Sequence, residues 1–235
     1  MDGGTNPKPI DPFLRSRGMK IPKNPQITKG MMRADLKNGT YERKEADAAM
    51  RVVNSDDVVL ELGGGIGYMS TLVAYKKGVQ KVHTYEANPA LIPYIHEMHS
   101  ANGVSDRITV HNKLLANRKG KPVDFFVRQS FLASSMDASS DPDSIVATHQ
   151  IEVENINTVL KTLKPTVLIC DIEGAEEHLL ADADFSCLRA AIIELHPQWI
   201  GQKGVQAVFD SMHRAGLTFF PKPSEGKVVV FKKGW

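Results

Sequence analysis

A cluster of glycines and the acid before it are the residues of this sequence best suited to bind a small molecule. Residues 58–78 read VVLELGGGIGYMSTLVAYKKG, in which an apolar run carries Glu61 near its end and leads into Gly63, Gly65 and Gly67. Glycines let a loop pass close beneath a ligand because they adopt backbone angles that other residues resist. The pattern therefore predicts a loop that wraps around a bound small molecule.

Three kinds of ligand compete for this loop. A P-loop for nucleoside triphosphates needs GxxxxGK[ST], but Gly67 is followed by Tyr68 and not by lysine. A dinucleotide fingerprint needs GxGxxG, and Tyr68 occupies the position of its third glycine. The observed spacing, ExGxGxG, suits S-adenosylmethionine, which carries no phosphate. We count Tyr68 with the three glycines among the predicted cofactor-binding residues.

Further polar residues stand where such a ligand needs them. Glu61, near a strand end, would attract the ammonium of the methionine part directly or through water. Glu86 ends the next strand, where an acid accepts both ribose hydroxyls, and Ala87 follows it in the same loop. Asn112, after the third strand, is a candidate for the adenine edge, although a loop asparagine often satisfies its own backbone. Together these residues predict an S-adenosylmethionine site.

Candidate catalytic residues follow the fourth and fifth parallel strands. Asp171 and Glu173 end one strand and His196 ends the other. A hydroxyl acceptor needs a base, and either His196 or Asp171, with a pKa raised by burial, would serve. Asp171 is alternatively placed to hold the cofactor. Glu173 also lies with Glu176 in the first turn of a helix, where the helix dipole favours acids whatever their function.

A metal site is not predicted. A divalent ion bridging Asp171 and nearby acids needs a second pair of ligands, and the sequence does not reveal one. The two cysteines, Cys170 and Cys187, have no zinc-ligand spacing and are interpreted as free thiols of a reducing cytoplasm.

The strands and helices that must position these residues alternate along the chain from residue 57 onward. Buried strands are predicted from apolar, β-branched runs, which cover residues 58–62, 81–87, 107–113, 122–128, 166–174 and 190–197. A helix follows the glycine loop and ends at Gly78. Runs at 217–223 and 227–233 predict a terminal hairpin. The alternation predicts an α/β fold with a doubly wound, mainly parallel sheet and an antiparallel C-terminal edge hairpin.

The N-terminal region differs in character. Residues 1–30 hold five prolines among polar neighbours and predict an extended arm. Apolar spacing from 35 to 53 predicts helix, interrupted near residue 38. We therefore expect an arm with lid helices at 1–53 and an S-adenosylmethionine-binding domain at 54–235.

The composition and charge of the chain limit the kinds of partner that we expect it to bind. Hydrophobic residues make up 42% and charged residues 24%, as in soluble globular proteins. No stretch approaches the roughly 20 apolar residues of a membrane helix, and no secretory signal is visible, so we expect a cytoplasmic protein without a membrane partner. Net charge is +2, and the basic ends lack interleaved aromatic residues, which disfavours nucleic acid. The sequence leaves open whether the protein forms a homo-oligomer.

Seven motifs in order resemble those of FkbM-type S-adenosylmethionine-dependent methyltransferases. They are LELGGGIGYMS, TYEANP, RITVHNKLLANRKG, LASSM, IEVENINTVL, ICDIEGAEEHLL and IIELHP. DIEGAE is the most specific, because other class I methyltransferases lack it. The resemblance covers about residues 39–200 and implies a seven-stranded, Rossmann-like class I sheet. It also implies O-methylation of sugars, natural-product hydroxyls or related small molecules.

The predicted function is thus methyl transfer from S-adenosylmethionine to a hydroxyl of a small or glycosylated acceptor. Two enzymatic alternatives stay open. An N-methyltransferase would share the cofactor site and differ in the acceptor pocket. An NAD-dependent oxidoreductase would use Glu86 for its ribose but lacks the third fingerprint glycine.

Overall fold

Strands and helices alternate through residues 11–128 and 141–235, the part of the chain that our computed structural model describes. The strands are β1 (Phe13–Ser16), β2 (Met19–Pro22), β3 (Val58–Leu62), β4 (Lys81–Tyr85), β5 (Ile108–His111), β6 (Leu114–Ala116), β7 (Val123–Arg128), β8 (Ile145–Ile151), β9 (Val153–Asn155), β10 (Val167–Cys170), β11 (Ala190–Glu194), β12 (Thr218–Phe219) and β13 (Val228–Lys232). The helices are α1 (Gly30–Asn38), α2 (Arg43–Val52), α3 (Tyr68–Lys77), α4 (Ile92–Ala101), α5 (Ile156–Leu163), α6 (Glu176–Leu180) and α7 (Pro197–Arg214). The LASSM motif lies outside the described residues.

The central sheet has seven strands in the order β12-β13-β11-β10-β3-β4-β5. Neighbouring strands from β11 to β5 pair in parallel, and β13 runs antiparallel to both β11 and β12. This confirms the predicted α/β class, the doubly wound sheet and the antiparallel C-terminal hairpin. The strand predicted at 122–128 exists as β7, but it pairs with β8 in a separate antiparallel sheet.

Both faces of the central sheet are buried, which explains why its strands are continuous apolar runs. Side chains alternate between the faces, so that Val59 and Ile169 belong to one apolar core, and Leu60 and Leu168 to the other. Helices α2 and α3 pack on the first face, and α6 and α7 on the second.

The strand order reverses beside β3, which lies between β4 and β10. The last residues of these three strands, Leu62, Tyr85 and Cys170, are aligned in register. The residues that follow them therefore meet at one edge of the sheet. Open α/β sheets bind their ligands at such a switch point, beyond the carboxyl ends of the strands.

The arm predicted at residues 1–30 is not extended where the structure describes it, from residue 11 onward, and residues 1–10 lie outside the described residues. Strands β1 and β2 form an antiparallel hairpin, and its turn residues Arg17 and Gly18 both have positive φ (47° and 79°). Leu14, Met19 and Ile21 are buried in the core beneath it. The apolar residues of the segment alternate along two short strands, and burying them outweighs the polar composition around them.

The helix predicted between residues 35 and 53 is present as α1 and α2, and Gly39 (φ 70°) ends the first of them. In the part of the chain that is described, no helix is long and apolar enough to cross a membrane.

Candidate active site

The glycine loop joins β3 to α3 and is tight at one end and open in its middle. At Gly63 an added Cβ would lie 1.7 Å from the carbonyl oxygen of Asp171, so only glycine lets the loop pass against the end of β10. At Gly65 (φ 52°) a Cβ would meet no described atom within 4 Å. Gly67 caps the N-terminus of α3. The three predicted glycines thus form a cradle whose central residue faces open space.

Glu86 is buried against this loop and fixes its shape. Its Oε2 accepts a hydrogen bond from the Gly65 N–H at 2.7 Å, and its Oε1 accepts one from the Asn88 N–H at 2.7 Å. Burial raises the pKa of Glu86 to about 7. Since a carboxylate oxygen has two lone pairs, each oxygen retains acceptor capacity for a ribose hydroxyl.

Asn112 supports the same loop from behind. Its amide donates to the carbonyl oxygens of Glu86 and Ala87 at 2.9 and 3.1 Å. These bonds hold the backbone that presents the Glu86 carboxylate. A direct contact of Asn112 or Ala87 with adenine stays a prediction.

Glu61 lies beneath the loop with 2% of its surface exposed. Its Oε1 accepts a hydrogen bond from the Ser70 N–H at 3.0 Å, in the first turn of α3, and its Oε2 has no hydrogen-bond partner among the described residues. Burial raises the pKa of Glu61 to about 7. The Glu61 carboxylate is therefore placed to attract a cationic ligand electrostatically across the glycine loop. A direct contact of Glu61 with the ammonium group of the cofactor stays a prediction.

The Tyr68 side chain is turned toward the N-terminal hairpin. It is fully buried, and its hydroxyl lies 2.9 Å from the Ser16 hydroxyl. The Tyr41 ring packs edge-on against it at 5.1 Å. These contacts give Tyr68 a packing role that joins α3 to the N-terminal segment, and its place among the cofactor-binding residues stays a prediction.

The three predicted catalytic side chains converge at the ends of β10 and β11. His196 Nε2 lies 3.6 Å from Asp171 Oδ1 and 3.3 Å from Glu173 Oε2. The His196 side chain is only 4% exposed, whereas Glu173 projects into solvent. Burial raises the pKa of Asp171 to about 7, and the nearby carboxylates of Glu194 and Glu173 add to the effect. The structure thus brings together an imidazole and two carboxyls beside the glycine cradle.

Glu176 is a buried residue of this group that the sequence did not single out as a candidate. It is fully buried, and its Oε1 lies 2.6 Å from His196 Nδ1 and 3.2 Å from the Gly174 N–H that donates to it. This hydrogen bond raises the pKa of His196 and fixes its ring. Glu176 was interpreted as one of the acids that favour a helix N-terminus. Its place at the end of DIEGAE was the available signal for a more specific role.

Helix α2 and its N-cap residue Glu42 bring further carboxyl groups to the same edge. Burial raises the pKa of Glu42 well above its usual range, and the carboxylates of Asp171 and Glu61 contribute. Burial also raises the pKa of Glu45, which shares a contact with Glu194 at the end of β11. Carboxyl groups from four segments of the chain therefore lie near one another at this edge of the sheet.

A sequence model of one family, described as the methyltransferase FkbM domain, matches residues 61–220. The chain belongs to the FkbM methyltransferase family. It is an S-adenosylmethionine-dependent methyltransferase, and its cofactor is S-adenosylmethionine. The family assignment decides between this cofactor and the nicotinamide alternative.

A solved structure with a TM-score of 0.50 shares the fold of this methyltransferase. M. jannaschii TYW2 in complex with AdoMet is 14% identical, with a TM-score of 0.50 over 94% of this chain and 86% of that one. A methyltransferase from Pyrococcus furiosus is 14% identical, with a TM-score of 0.49 over 93% and 91%. Precorrin-6y C5,15-methyltransferase from Geobacter metallireducens is 11% identical, with a TM-score of 0.48 over 82% and 88%. Comparison with curated proteins gives no significant match.

Proposed function

We propose that this methyltransferase methylates a hydroxyl oxygen of a small or glycosylated molecule. The observation that carries the proposal is the convergence of His196, Asp171 and Glu173 beside the glycine cradle. A hydroxyl is a weak nucleophile until its proton is removed, whereas a neutral amine already presents a lone pair. A group of proton acceptors at this position therefore favours oxygen over nitrogen as the acceptor atom.

The cradle residues fit the cofactor. Gly65 leaves open space above the loop, Glu86 retains acceptor capacity for the ribose hydroxyls, and the Glu61 carboxylate lacks a hydrogen-bond partner on one oxygen within the described chain. We assign these three residues to binding of the cofactor, with Asn112 and Ala87 shaping the loop. When bound, S-adenosylmethionine supplies a methyl group already activated by its sulfonium.

The residues after β10 and β11 then assist the acceptor. The sulfonium of the cofactor would supply the methyl group to the acceptor oxygen, and the proton of the hydroxyl would pass to His196 Nε2 or to the Asp171 carboxylate. The hydrogen bond between Nδ1 and Glu176 orients the imidazole for this step. Positioning and exclusion of water complete the contribution of the protein.

The direct test is calorimetry followed by a search for the acceptor. S-Adenosylmethionine is expected to bind and NAD is not, and binding of NAD alone would make the proposal wrong. A methyl-transfer screen against a cell extract, with the product located by mass spectrometry, then identifies the methylated atom. A product methylated on nitrogen would replace oxygen by nitrogen in the proposal and leave the cofactor site unchanged.

Changing Glu86 to alanine is expected to weaken binding of S-adenosylmethionine by about 1–3 kcal/mol, the cost of leaving hydroxyl contacts unmade. The loss includes the support that Glu86 gives to the Gly65 and Asn88 N–H groups. Calorimetry measures the change, and Glu97→Ala, an exposed glutamate of α4, is the matched control. Unchanged affinity in Glu86→Ala would remove this residue from the site.

Trp199 is a candidate platform for the acceptor. It is 69% exposed, and it covers Gly174, where an added Cβ would lie 2.8 Å from the Trp199 Cβ. An aromatic face beside Glu173 suits a sugar ring or another flat acceptor. Stacking is worth about 0.5–1.5 kcal/mol, so Trp199→Ala is expected to raise the KM for the acceptor roughly 2- to 12-fold with cofactor affinity retained. The exposed Trp235 provides the control variant Trp235→Ala, and an equal KM in both variants would exclude the platform.

The remaining assignments concern the role of the N-terminal segment, the cellular location of the enzyme and the class of its acceptor. Within residues 1–53 we assign a lid role to α1 and α2, with Tyr41 and Glu42 directly before α2, and we assign binding of the cofactor to residues 54–235. Cys170 and Cys187 are free thiols, which suits a cytoplasmic enzyme. A small-molecule or glycosylated acceptor is the partner that this proposal requires, with no role for nucleic acid.

A further inference from the structure

The group formed by Asp171, Glu173 and His196 has the composition of a metal site. One ligand atom of each lies within 4.8 Å of the others. The two distances from His196 Nε2 are 3.3 and 3.6 Å. Ligand atoms around one ion with bonds of about 2.1 Å lie about 3.0–3.4 Å apart in octahedral or tetrahedral geometry. The three side chains therefore need only small movements to share an ion.

One buried atom in this group, Asp171 Oδ1, has no hydrogen-bond partner among the described residues. The His196 side chain is 96% buried, and its Nε2 lies within ion-pair distance of the Asp171 and Glu173 carboxylates, at 3.6 and 3.3 Å. Buried polar atoms are usually satisfied, so the unsatisfied Asp171 Oδ1, which faces His196 Nε2 at 3.6 Å, points to a ligand between them.

Glu176 completes the arrangement from behind. Its carboxylate holds His196 Nδ1 at 2.6 Å, which directs Nε2 toward Asp171 and Glu173. Histidines that bind metals commonly donate their other ring N–H to a carboxylate, which fixes the tautomer and makes the ligand atom more basic. Since Glu176 is fully buried and also accepts from the Gly174 N–H, this support is part of the core.

We propose that Asp171, Glu173 and His196 bind a divalent cation, with Glu176 as the residue that positions His196. One imidazole and two carboxylates suit a first-row transition ion such as Mn²⁺, with further coordination positions open. The sequence revealed no such site because Glu173 and His196 meet only in the folded chain.

This site deepens the proposed function and rests on it for the role of the ion. The acceptor hydroxyl would occupy an open coordination position, and its O–H bond would break with the proton passing to water. Asp171 and His196 would then be ligands and not bases. A rival arrangement, in which a protonated His196 donates from Nε2 to the two carboxylates, needs no ion.

Titration of the metal-free full chain with Mn²⁺ tests the site without cofactor or acceptor. Electron paramagnetic resonance of free Mn²⁺ is expected to show one saturable site per chain. His196→Ala and Glu173→Gln are each expected to weaken binding at least 10-fold, and Glu176→Gln by about 10- to 100-fold. Asp210→Ala, which changes an exposed acid of α7, is expected to bind as the wild type does.

Glu173→Gln keeps the test decisive if His196→Ala does not fold, because Glu173 is exposed and outside the core. Absence of saturable binding, or binding equal to wild type in Glu173→Gln and in a folded His196→Ala, would overturn the site. If methyl transfer then proceeds with a chelator present, the proposed function stands without the ion. If Mn²⁺ binds as expected but no O-methylated product forms, the site stands and the proposed function falls.

Discussion

Replacing His196 by alanine is expected to lower kcat about 100- to 10,000-fold, the range that general acid–base groups contribute, while the affinity for S-adenosylmethionine is retained. The side chain lies beside Asp171 and Glu173, after β10 and β11, whereas the residues assigned to the cofactor belong to β3 and to the loops after β3 and β4. The loss follows whether Nε2 takes the proton of the acceptor or holds a cation, because alanine removes the atom that does either. Steady-state kinetics with calorimetry for the cofactor measure the two effects separately.

The controls for this variant address folding and position. Alanine leaves the buried Glu176 carboxylate without its partner, so the melting temperature must be recorded beside the rate. His196→Gln retains a hydrogen-bond donor toward Glu176 and loses the imidazole, and it is expected to be as inactive as His196→Ala. The control is His213→Ala, which changes an exposed histidine near the C-terminal end of α7, the helix that follows His196. This variant is expected to leave kcat unchanged. Full activity in both His196 variants would set aside a catalytic or ligand role for this residue.

Replacing Arg189 by methionine is expected to lower the free energy of unfolding by about 3 kcal/mol, the lower end of the cost of breaking a buried ion pair. The Arg189 guanidinium contacts both carboxylate oxygens of Asp57, with Nε at 2.7 Å from Oδ1 and Nη2 bonded to Oδ2. Its Nη2 also donates to the Val52 carbonyl oxygen at 3.0 Å. Only 3% of the Asp57 side chain is exposed, so methionine would leave a buried carboxylate without its counter-charge.

This ion pair joins the amino-terminal ends of three central strands. Asp57 directly precedes β3, and Arg189 directly precedes β11. Thr166, directly before β10, donates from its hydroxyl to Asp57 Oδ1 at 2.7 Å. The network lies at the edge of the sheet opposite the cofactor loop. At temperatures well below its melting temperature, the Arg189 variant is therefore expected to bind S-adenosylmethionine with wild-type affinity. A loss of affinity in a folded variant would contradict this separation.

The contribution of Asp57 should depend on pH in a defined direction. Burial alone would raise the pKa of Asp57, but hydrogen bonds from Arg189, the Asn54 N–H and Thr166 outweigh it and lower the pKa. A carboxyl whose pKa is lower in the folded state stabilises the fold above its unfolded value, about 3.9, and loses that effect as the pH falls through the folded value. Urea unfolding of wild type and Asp57→Asn should therefore differ at pH 7 and converge at acid pH. Asp56→Asn, the exposed neighbour, is expected to match the wild type throughout.

The two ends of the parallel strands thus differ in their charged residues and in the role that we assign to each. The amino-terminal edge holds a hydrogen-bonded ion pair that fixes strand positions. The carboxyl edge collects carboxyl groups whose pKa values burial raises, among them Glu61, Glu86 and Asp171. Unfavourable burial of like charges is tolerated where a cationic ligand compensates it, and such groups concentrate at functional sites.

The sequence by itself determined the sheet, the cofactor loop and the family. Each is encoded in short contiguous patterns: apolar runs such as residues 58–62, the spacing of Gly63, Gly65 and Gly67, and the DIEGAE motif. An acid at a strand end, such as Glu86, is predictable because parallel strands bring their carboxyl ends to one edge.

Only the tertiary structure decided how side chains far apart in sequence share that edge. The bond between Glu176 and His196 spans two strand ends, and the direction of each side chain depends on packing that no local pattern encodes. The same holds for Tyr68, which the N-terminal hairpin draws away from the loop through Ser16. Burial of the hairpin overrode its polar composition, because apolar side chains two residues apart fall on one face only once the strand has formed.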